Sequence, residues 1–460
     1  MSEELSSTDA AYSELPFVHL IPIDPVPDRA VFAPGSDRLS HIGPISLFRG
    51  SWGTHVGSRE IADATLQVGY PEELADTIDK LGFSGGYHFP ADSDTFSDHI
   101  QSLQMHYVTQ LVERVLDGRG WDSTDALFIG SQTIFEDVIP QVRAELHRRG
   151  KEVGEVYWYR LACNSATAAL IDTVRIPEFH NQRVAIVGLE TLSGNSTDVT
   201  NPVTYATFGN GGSAMAYIPG KEIDVLTGET VVEYDTNGFF LIPHSANRRP
   251  KAQAPDVALD YRMVGDETHE HFFATENGVY LEMPADEGFR MDGRGTFRYF
   301  TSTGVTDVIW NALQVYREKF SRQLGRLGVA IGHQPSMAVV DGLNRSLFRI
   351  AMTAHSEAME RLGKADAVLS TRDIRKLMRA GLPERIAALR NIGFDPRSIS
   401  IPWIMDEVGV NNISAGTALS ALEMLAAKGA VLPGTAHLLL GLGIGASYQA
   451  HIVHFRPETA

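Results

Sequence analysis

The 460-residue sequence contains one cysteine, Cys163. A single thiol cannot close an intramolecular disulfide, and it cannot build a Cys-rich zinc site. No run reaches the roughly 18 uninterrupted apolar residues that a membrane-spanning helix needs. The nearest candidate, Ala436 to Val453, is broken by Gly441, Gly443, Gly445, Gln449 and His451. Positive charge is scarce too: 39 Lys and Arg face 57 Asp and Glu, a formal net charge of −18. That balance argues against a nucleic-acid backbone or an anionic membrane as the main partner. No tandem period of roughly 20 to 50 residues is visible, which excludes a solenoid or propeller. The opening MSEELSSTDAAYSELP is acidic where a secretory signal would be basic and then apolar, so a cytoplasmic protein is expected.

What is present is ordinary globular material, 43% hydrophobic and 21% charged. The length exceeds what one core usually supports, so two lobes are expected. Residues 1–40 are rich in Ser, Asp and Pro without periodicity and read as an arm. Beyond them, short apolar runs alternate with amphipathic segments. Ile100 to Leu116 has helical spacing, and Ala126 to Ser131 is a buried-strand pattern. Ile134 to Arg149 reads as helix, Val156 to Ala162 as strand, Ser165 to Val174 as helix and Arg183 to Glu190 as strand. The second half repeats the style. Helix is expected over Val305 to Leu327, strand into loop over Gly328 to Ser336, helices over much of Ser346 to Leu389, and a small-residue helix over Ala415 to Gly429. Strands alternating with helices indicate an α/β fold with buried sheets.

Four features could carry chemistry. In LACNSATAAL a strand ends at Cys163 and a helix of small residues begins at once. A thiol at a helix N-terminus sits in the positive end of the dipole, which favours the thiolate. The same position also suits an inert buried cysteine. His333, in GHQPS, emerges at a strand end as either a reactive group or a packed core histidine. In GVNNISAG, Asn412 or Asn411 could be a site residue or only a helix cap. GLGIGAS, Gly441 to Ser447, is a tight turn suited to presenting backbone N–H groups to an oxyanion. Three further clusters, ADSDTFSDH, THEHFF and PEFHNQR, lack the ligand sets of metal sites, so no metal and no other cofactor is expected.

The order and context of these motifs resemble the ketoacyl synthase III branch of the thiolase superfamily. FGNGGSAMAY, MDGRGTFRYF and the terminal LLLGLGIGASY add to the likeness, which spans most of the chain from about His41 to Phe455. The resemblance implies a thiolase-like five-layered αβαβα fold of two similar lobes, residues 41–220 and 221–460. It also implies a homodimer and acyl thioester substrates carried on coenzyme A or an acyl carrier protein. Cys163 would take the acyl group, with backbone N–H groups at Cys163 and Ile444 holding the oxyanion. His333 and Asn412 would bind a malonyl-type thioester for decarboxylative condensation.

The sequence departs from the family pattern in several places. HQAN becomes HQPS, and the basic residue that usually follows is Ala338. KLGFSGGYHF lacks the Arg usual after the family's TGI-like motif. Gln132 stands where hydroxymethylglutaryl-CoA synthases carry a catalytic Glu, and Gln cannot act as general acid or base. These changes point to specialised, polyketide-like or alkylquinolone-like biosynthesis rather than fatty-acid initiation. The interval from His333 to Asn412 exceeds the family's, with an inserted helical segment around 346–395. In it Arg372, Arg375, Lys376 and Arg379 share a helix face, either merely solvated or a docking patch for an acidic carrier. Transfer of the acyl group to an alcohol or amine, and a non-catalytic partner subunit, are the alternative functions.

Overall fold

The computed structural model describes residues 37–457 apart from 68, 89–93, 132, 135–137, 160, 192–201, 233–260, 264–273, 276–277, 280, 283–289, 292–296, 298–299, 302, 406–409 and 444–446. Most of the N-terminal arm, the clusters ADSDTFSDH and THEHFF, most of MDGRGTFRYF, Gln132 and Ile444 therefore lie, wholly or in large part, outside the described residues.

The first sheet is built from β1 (Arg38–Ile42), β2 (Ile45–Ser51), β5 (Ser123–Gly130), β6 (Glu152–Tyr159), β7 (Val184–Glu190) and β8 (Gly211–Tyr217). A small hairpin, β3 (Thr54–Gly57) with β4 (Gly85–His88), stands beside it. The strand order is β1-β2-β8-β7-β5-β6. Helices of this half are α1 (Ser58–Gln67), α2 (Glu72–Lys80), α3 (Asp94–Arg119), α4 (Ile139–Arg148) and α5 (Ser165–Arg175). The second sheet takes β9 (Ile223–Val232), β10 (Tyr261–Met263), β15 (Ile331–Gly332), β16 (Ala436–Gly443) and β17 (Ser447–Phe455), in the order β10-β9-β17-β16-β15. Two short hairpins, β11 (Ala274–Thr275) with β12 (Gly278–Val279) and β13 (Leu281–Glu282) with β14 (Arg290–Met291), lie between its first strands and the rest. Its helices are α6 (Thr303–Lys319), α7 (Met337–Arg361), α8 (Thr371–Arg379), α9 (Leu382–Asn391) and α10 (Thr417–Ala427).

The two sheets repeat one plan. β2-β8-β7-β5 pair antiparallel, antiparallel and parallel, and β9-β17-β16-β15 do the same. Between the sheets lie α5 and α10, which pack on strands of both. Outside the first sheet lie α3 and α4, and outside the second lie α6 and α7. This is the five-layered αβαβα sandwich of two similar lobes that the sequence motifs imply. Apolar clusters fill the central layer and each outer interface.

The sequence explains the layering. Sheets covered on both faces need continuous apolar strands, and every residue of β7, β8 and β16 is buried. The central helices must pass between two sheets, and in SATAALIDTVR all residues from Ser165 to Val174 are buried. Two glycines allow that approach. A Cβ at Gly130 would lie 2.6 Å from the Ala166 nitrogen, and one at Gly188 would lie 2.6 Å from the Ala415 oxygen.

Some boundaries differ from the sequence patterns. The helix expected from Ile134 begins at Ile139, because the Ile134 amide instead donates to Ser131 Oγ. The strand expected over Gly328 to Ser336 pairs only through Ile331–Gly332. The inserted helices begin on an element that already belongs to the lobe, since α7 runs unbroken from Met337 to Arg361. Beyond it α8 and α9 fold back: Ser356 Oγ bonds both the N–H and the C=O of Leu369, and Arg385 reaches Asp341 in the early turns of α7. Among the described residues no helix is long and apolar enough to cross a membrane.

Candidate active site

Cys163 occupies a three-residue 3-10 turn, Ala162–Asn164, directly ahead of α5. The chain turns from strand to helix by placing Ala162 at φ 47°, left-handed space that costs a residue with a Cβ about 1–3 kcal/mol. The turn is held from within: the Leu161 amide donates to Ser165 Oγ, which donates to the Ala162 carbonyl. It is held from outside by the second lobe. Gln449 Nε2 donates to Asn164 Oδ1 at 2.8 Å, and Gln449 Oε1 accepts from Thr230. Gly441 leaves room for this, since a Cβ there would sit 1.9 Å from Asn164 Oδ1. The thiol is thus at the N-terminus of a buried helix, at the junction of the lobes.

The second lobe builds the same device. Ser414 also has φ 47°, the 3-10 turn Ser414–Gly416 follows, and α10 matches α5 in length at 11 residues. The two turns touch. Asn412 stands two residues ahead of this turn, paired with Phe208 in an isolated bridge. Its Oδ1 accepts from the Ser414 amide and from Thr417 Oγ1, both at 2.8 Å. With that oxygen committed to the helix start, the opposite edge of the amide is its N–H2. Asn412 is therefore a helix-start cap through one atom and a fixed hydrogen-bond donor through the other.

His333 follows β15, and its amide donates to the Leu440 carbonyl of β16, one residue from the Gly441 that seats Asn164. The imidazole is only 1% exposed, and burial lowers its pKa to about 3, so it is neutral. Neither ring nitrogen has a hydrogen-bond partner among the described residues. An orphaned buried polar group costs about 1–3 kcal/mol, which a substrate oxygen placed against the ring would recover. Gln334 fixes the loop by donating to the Gly332 and Pro402 carbonyls and accepting from the Ile404 amide. Ser336 caps α7 by accepting from the Val339 amide.

The departures from the family pattern have positions here. Ala338 is exposed in the first turn of α7. The segment Leu81–Phe83 is pinned beside it: the Met337 amide donates to the Leu81 carbonyl, and Trp403 Nε1 donates to that of Gly82. Gly86 and Asn411 are linked. A Cβ at Gly86 would lie 1.2 Å from Asn411 Oδ1, so the side chain of Asn411 fills the space that any side chain at 86 would enter. Asn411 is thereby a packing residue, its Nδ2 donating to the Ala206 carbonyl at 2.9 Å, and Asn412 is the one beside the turn.

The structure brings the turns of Cys163 and Asn412 and the loop of His333 to one end of the central layer. It does not bring Arg372, Arg375, Lys376 and Arg379 there. They lie exposed on α8, within about 100° of one another on the helix, opposite the buried Ile374. Sequence patterns do not single out Glu190, although an acid closing the apolar strand VAIVGLE is a visible signal. It is fully buried at the end of β7 and bonded to both Thr133 and Ser414.

No protein-family model and no curated protein matches the sequence. Solved structures do match the fold. One is a 3-oxoacyl-(acyl carrier protein) synthase III from Pseudomonas aeruginosa PAO1, at 14% identity and TM-score 0.51, covering 92% of this chain and 100% of that one. A second is the priming β-ketosynthase of the R1128 polyketide pathway, at 17% identity and TM-score 0.51, covering 92% and 98%. A third is 1,3,6,8-tetrahydroxynaphthalene synthase from Streptomyces coelicolor A3(2), a type III polyketide synthase, at 14% identity and TM-score 0.54, covering 90% and 99%. The chain has the thiolase fold, the architecture of those condensing enzymes.

Proposed function

We propose that this protein is a Cys-dependent condensing enzyme that joins an acyl group to a malonyl-type unit. The Cys163 thiolate attacks an acyl thioester, the carrier thiolate leaves, and the acyl group rests on Sγ. Backbone N–H groups at Cys163 and Ile444 hold the oxyanion. A malonyl-type thioester then binds with its carbonyl oxygen facing His333 and the N–H2 of Asn412. Its carboxylate C–C bond breaks, carbon dioxide leaves, and the electron pair becomes an enolate on the oxygen that both donors hold. The enolate carbon attacks the acyl-Cys carbonyl, and the Cys163 thiolate is expelled. Donors of this kind are worth about 3–4 kcal/mol each in the transition state.

The observation that carries this reading is the buried, neutral imidazole of His333, which has no hydrogen-bond partner among the described residues. A donor kept dry and without a protein acceptor is built for an oxygen that arrives with the substrate. The exposed Ala338, where the family's basic residue stands, favours a specialised pathway over fatty-acid initiation. The cationic stripe of α8 is a docking surface for an acidic carrier domain, because it is the exposed face of a helix anchored by Ile374 in a strongly acidic protein. A homodimer completes the reading.

Intact-protein mass spectrometry with a panel of acyl thioesters tests it, with Cys163→Ala as control. The expected result is an acyl adduct lost in the variant and discharged as condensation product by a malonyl thioester. Discharge only by alcohols or amines would replace condensation with acyl transfer. No adduct from coenzyme A or carrier-bound donors would make the chain a partner subunit of another synthase.

A further inference from the structure

Glu190 ends β7 at the junction of the lobes with no exposed surface. One oxygen serves the first lobe. Oε2 accepts from the Thr133 amide at 3.0 Å, Thr133 Oγ1 at 2.6 Å and Ser131 Oγ at 3.3 Å. The other serves the second lobe, where Oε1 accepts from Ser414 Oγ at 3.1 Å. The first-lobe side is itself braced, since Gln104 Nε2 donates to the Thr133 carbonyl and to Thr191 Oγ1. Glu190 is thus a rigid post between the loop after β5 and the turn before α10.

We infer that Glu190 is a positioning residue for the condensation half-reaction, acting through Ser414 on Asn412. Ser414 is the residue it grips, and Ser414 is held at φ 47°. The Ser414 amide is one of the two donors that orient Oδ1 of Asn412 and so aim its N–H2. The other left-handed turn is tied differently: Ala162 carries no hydroxyl, its turn is closed by Ser165, and the second lobe holds it through Gln449 and Asn164. The post therefore bears, through Ser414, on the amide that faces the second substrate. Glu190→Gln keeps its carbonyl on the Thr133 amide and turns its N–H2 toward Ser414 Oγ, which must reverse its O–H and loses its charged acceptor. The Ser414 turn would shift, and a misplacement of about 1 Å costs about 100-fold in rate.

This inference rests on the condensation reading, and the test separates the two. Glu190→Gln and Ser414→Ala are compared with the unmodified protein for Cys163 acylation by mass spectrometry and for release of carbon dioxide from a malonyl thioester. Hydrogen exchange over residues 411–417 provides a readout that needs no substrate. The expected result is acylation within about twofold of the unmodified rate, decarboxylation down about 100-fold, and faster exchange at 411–417 in both variants. Parallel losses in acylation and decarboxylation would make Glu190 a general structural residue and overturn the inference. Unchanged exchange at 411–417 would overturn it as well, whatever the chemistry. An unmodified protein that is acylated but releases no carbon dioxide would sink the condensation reading, and the exchange data would still judge the post.

Discussion

Replacing Gly86 with Ala adds one methyl group and should be among the most damaging small changes in the chain. Its Cβ would stand 1.2 Å from Oδ1, 2.0 Å from Cγ and 2.4 Å from Nδ2 of Asn411, far inside contact distance. The amide of Asn411 has to leave. Its departure breaks the 2.9 Å bond to the Ala206 carbonyl and the longer one to Phe208. Orphaned buried groups cost about 1–3 kcal/mol, and an overpacked core adds about 1–3 kcal/mol. Gly86→Ala should therefore cost about 3–5 kcal/mol. Asn411→Gly alone loses the same hydrogen bonds without the clash and should cost about 2–3 kcal/mol. In the double variant the methyl enters vacated space, so the total should stay near that of Asn411→Gly. Urea midpoints of the four proteins complete the cycle. Costs that add to within about 0.5 kcal/mol would refute the coupling.

Other outcomes follow from buried charge and donors. His333 and His88 both have pKa values lowered to about 3 by burial, against 6.5 when exposed. Between those pH values the unfolded chain binds protons that the folded one refuses, so stability should be unaffected above pH 6.5 and fall as pH drops from 6.5 toward 3, by up to about 1.4 kcal/mol per pH unit for each histidine. His88→Gln should flatten the acid limb of a urea-midpoint profile, and an unchanged slope would refute the assignment. Glu423 is fully buried and holds Arg49 at 2.9 Å, so Glu423→Ala strands a buried guanidinium and should cost about 3–5 kcal/mol. A loss below about 1 kcal/mol would show that Arg49 finds other support. Charge reversal at Arg375 and Arg379 should raise the KM for a carrier-bound thioester and spare a small one. Equal effects on both would count against docking.

How much of this was legible depended on whether the cause was local. LACNSATAAL displays its strand, turn and helix because small residues fill the first turn of α5. VAIVGLE and AHLLLGLG announce sheets covered on both faces because their stretches VAIVGL and LLLGLG carry no polar side chain. The length of β15 was not legible: GVAIGHQPS looks like a long strand, but pairing with β16 stops after Gly332. The two roles of Asn412 were hidden for another reason. An Asn before a helix is a common cap, and only the capture of its oxygen by Ser414 and Thr417 reveals the free edge. Glu190 to Ser414 and Gly86 to Asn411 are contacts between distant parts of the chain, and local periodicity carries no trace of such pairs. The fit of Gly86 against Asn411 is invisible until the fold sets the two against each other.

The paired left-handed turns have a consequence for how such a site can change. A molecule with two copies of one strand-to-helix corner owns two equivalent places to hang a reactive group. Here one corner carries the thiol, and the other carries Ala415 in the matching place with Asn412 just ahead of it. In the proposed reaction the first corner supplies the bond-making atom and the second a fixed polar group. The halves would thus divide the labour, and because the two turns touch, a change at one corner bears on the other.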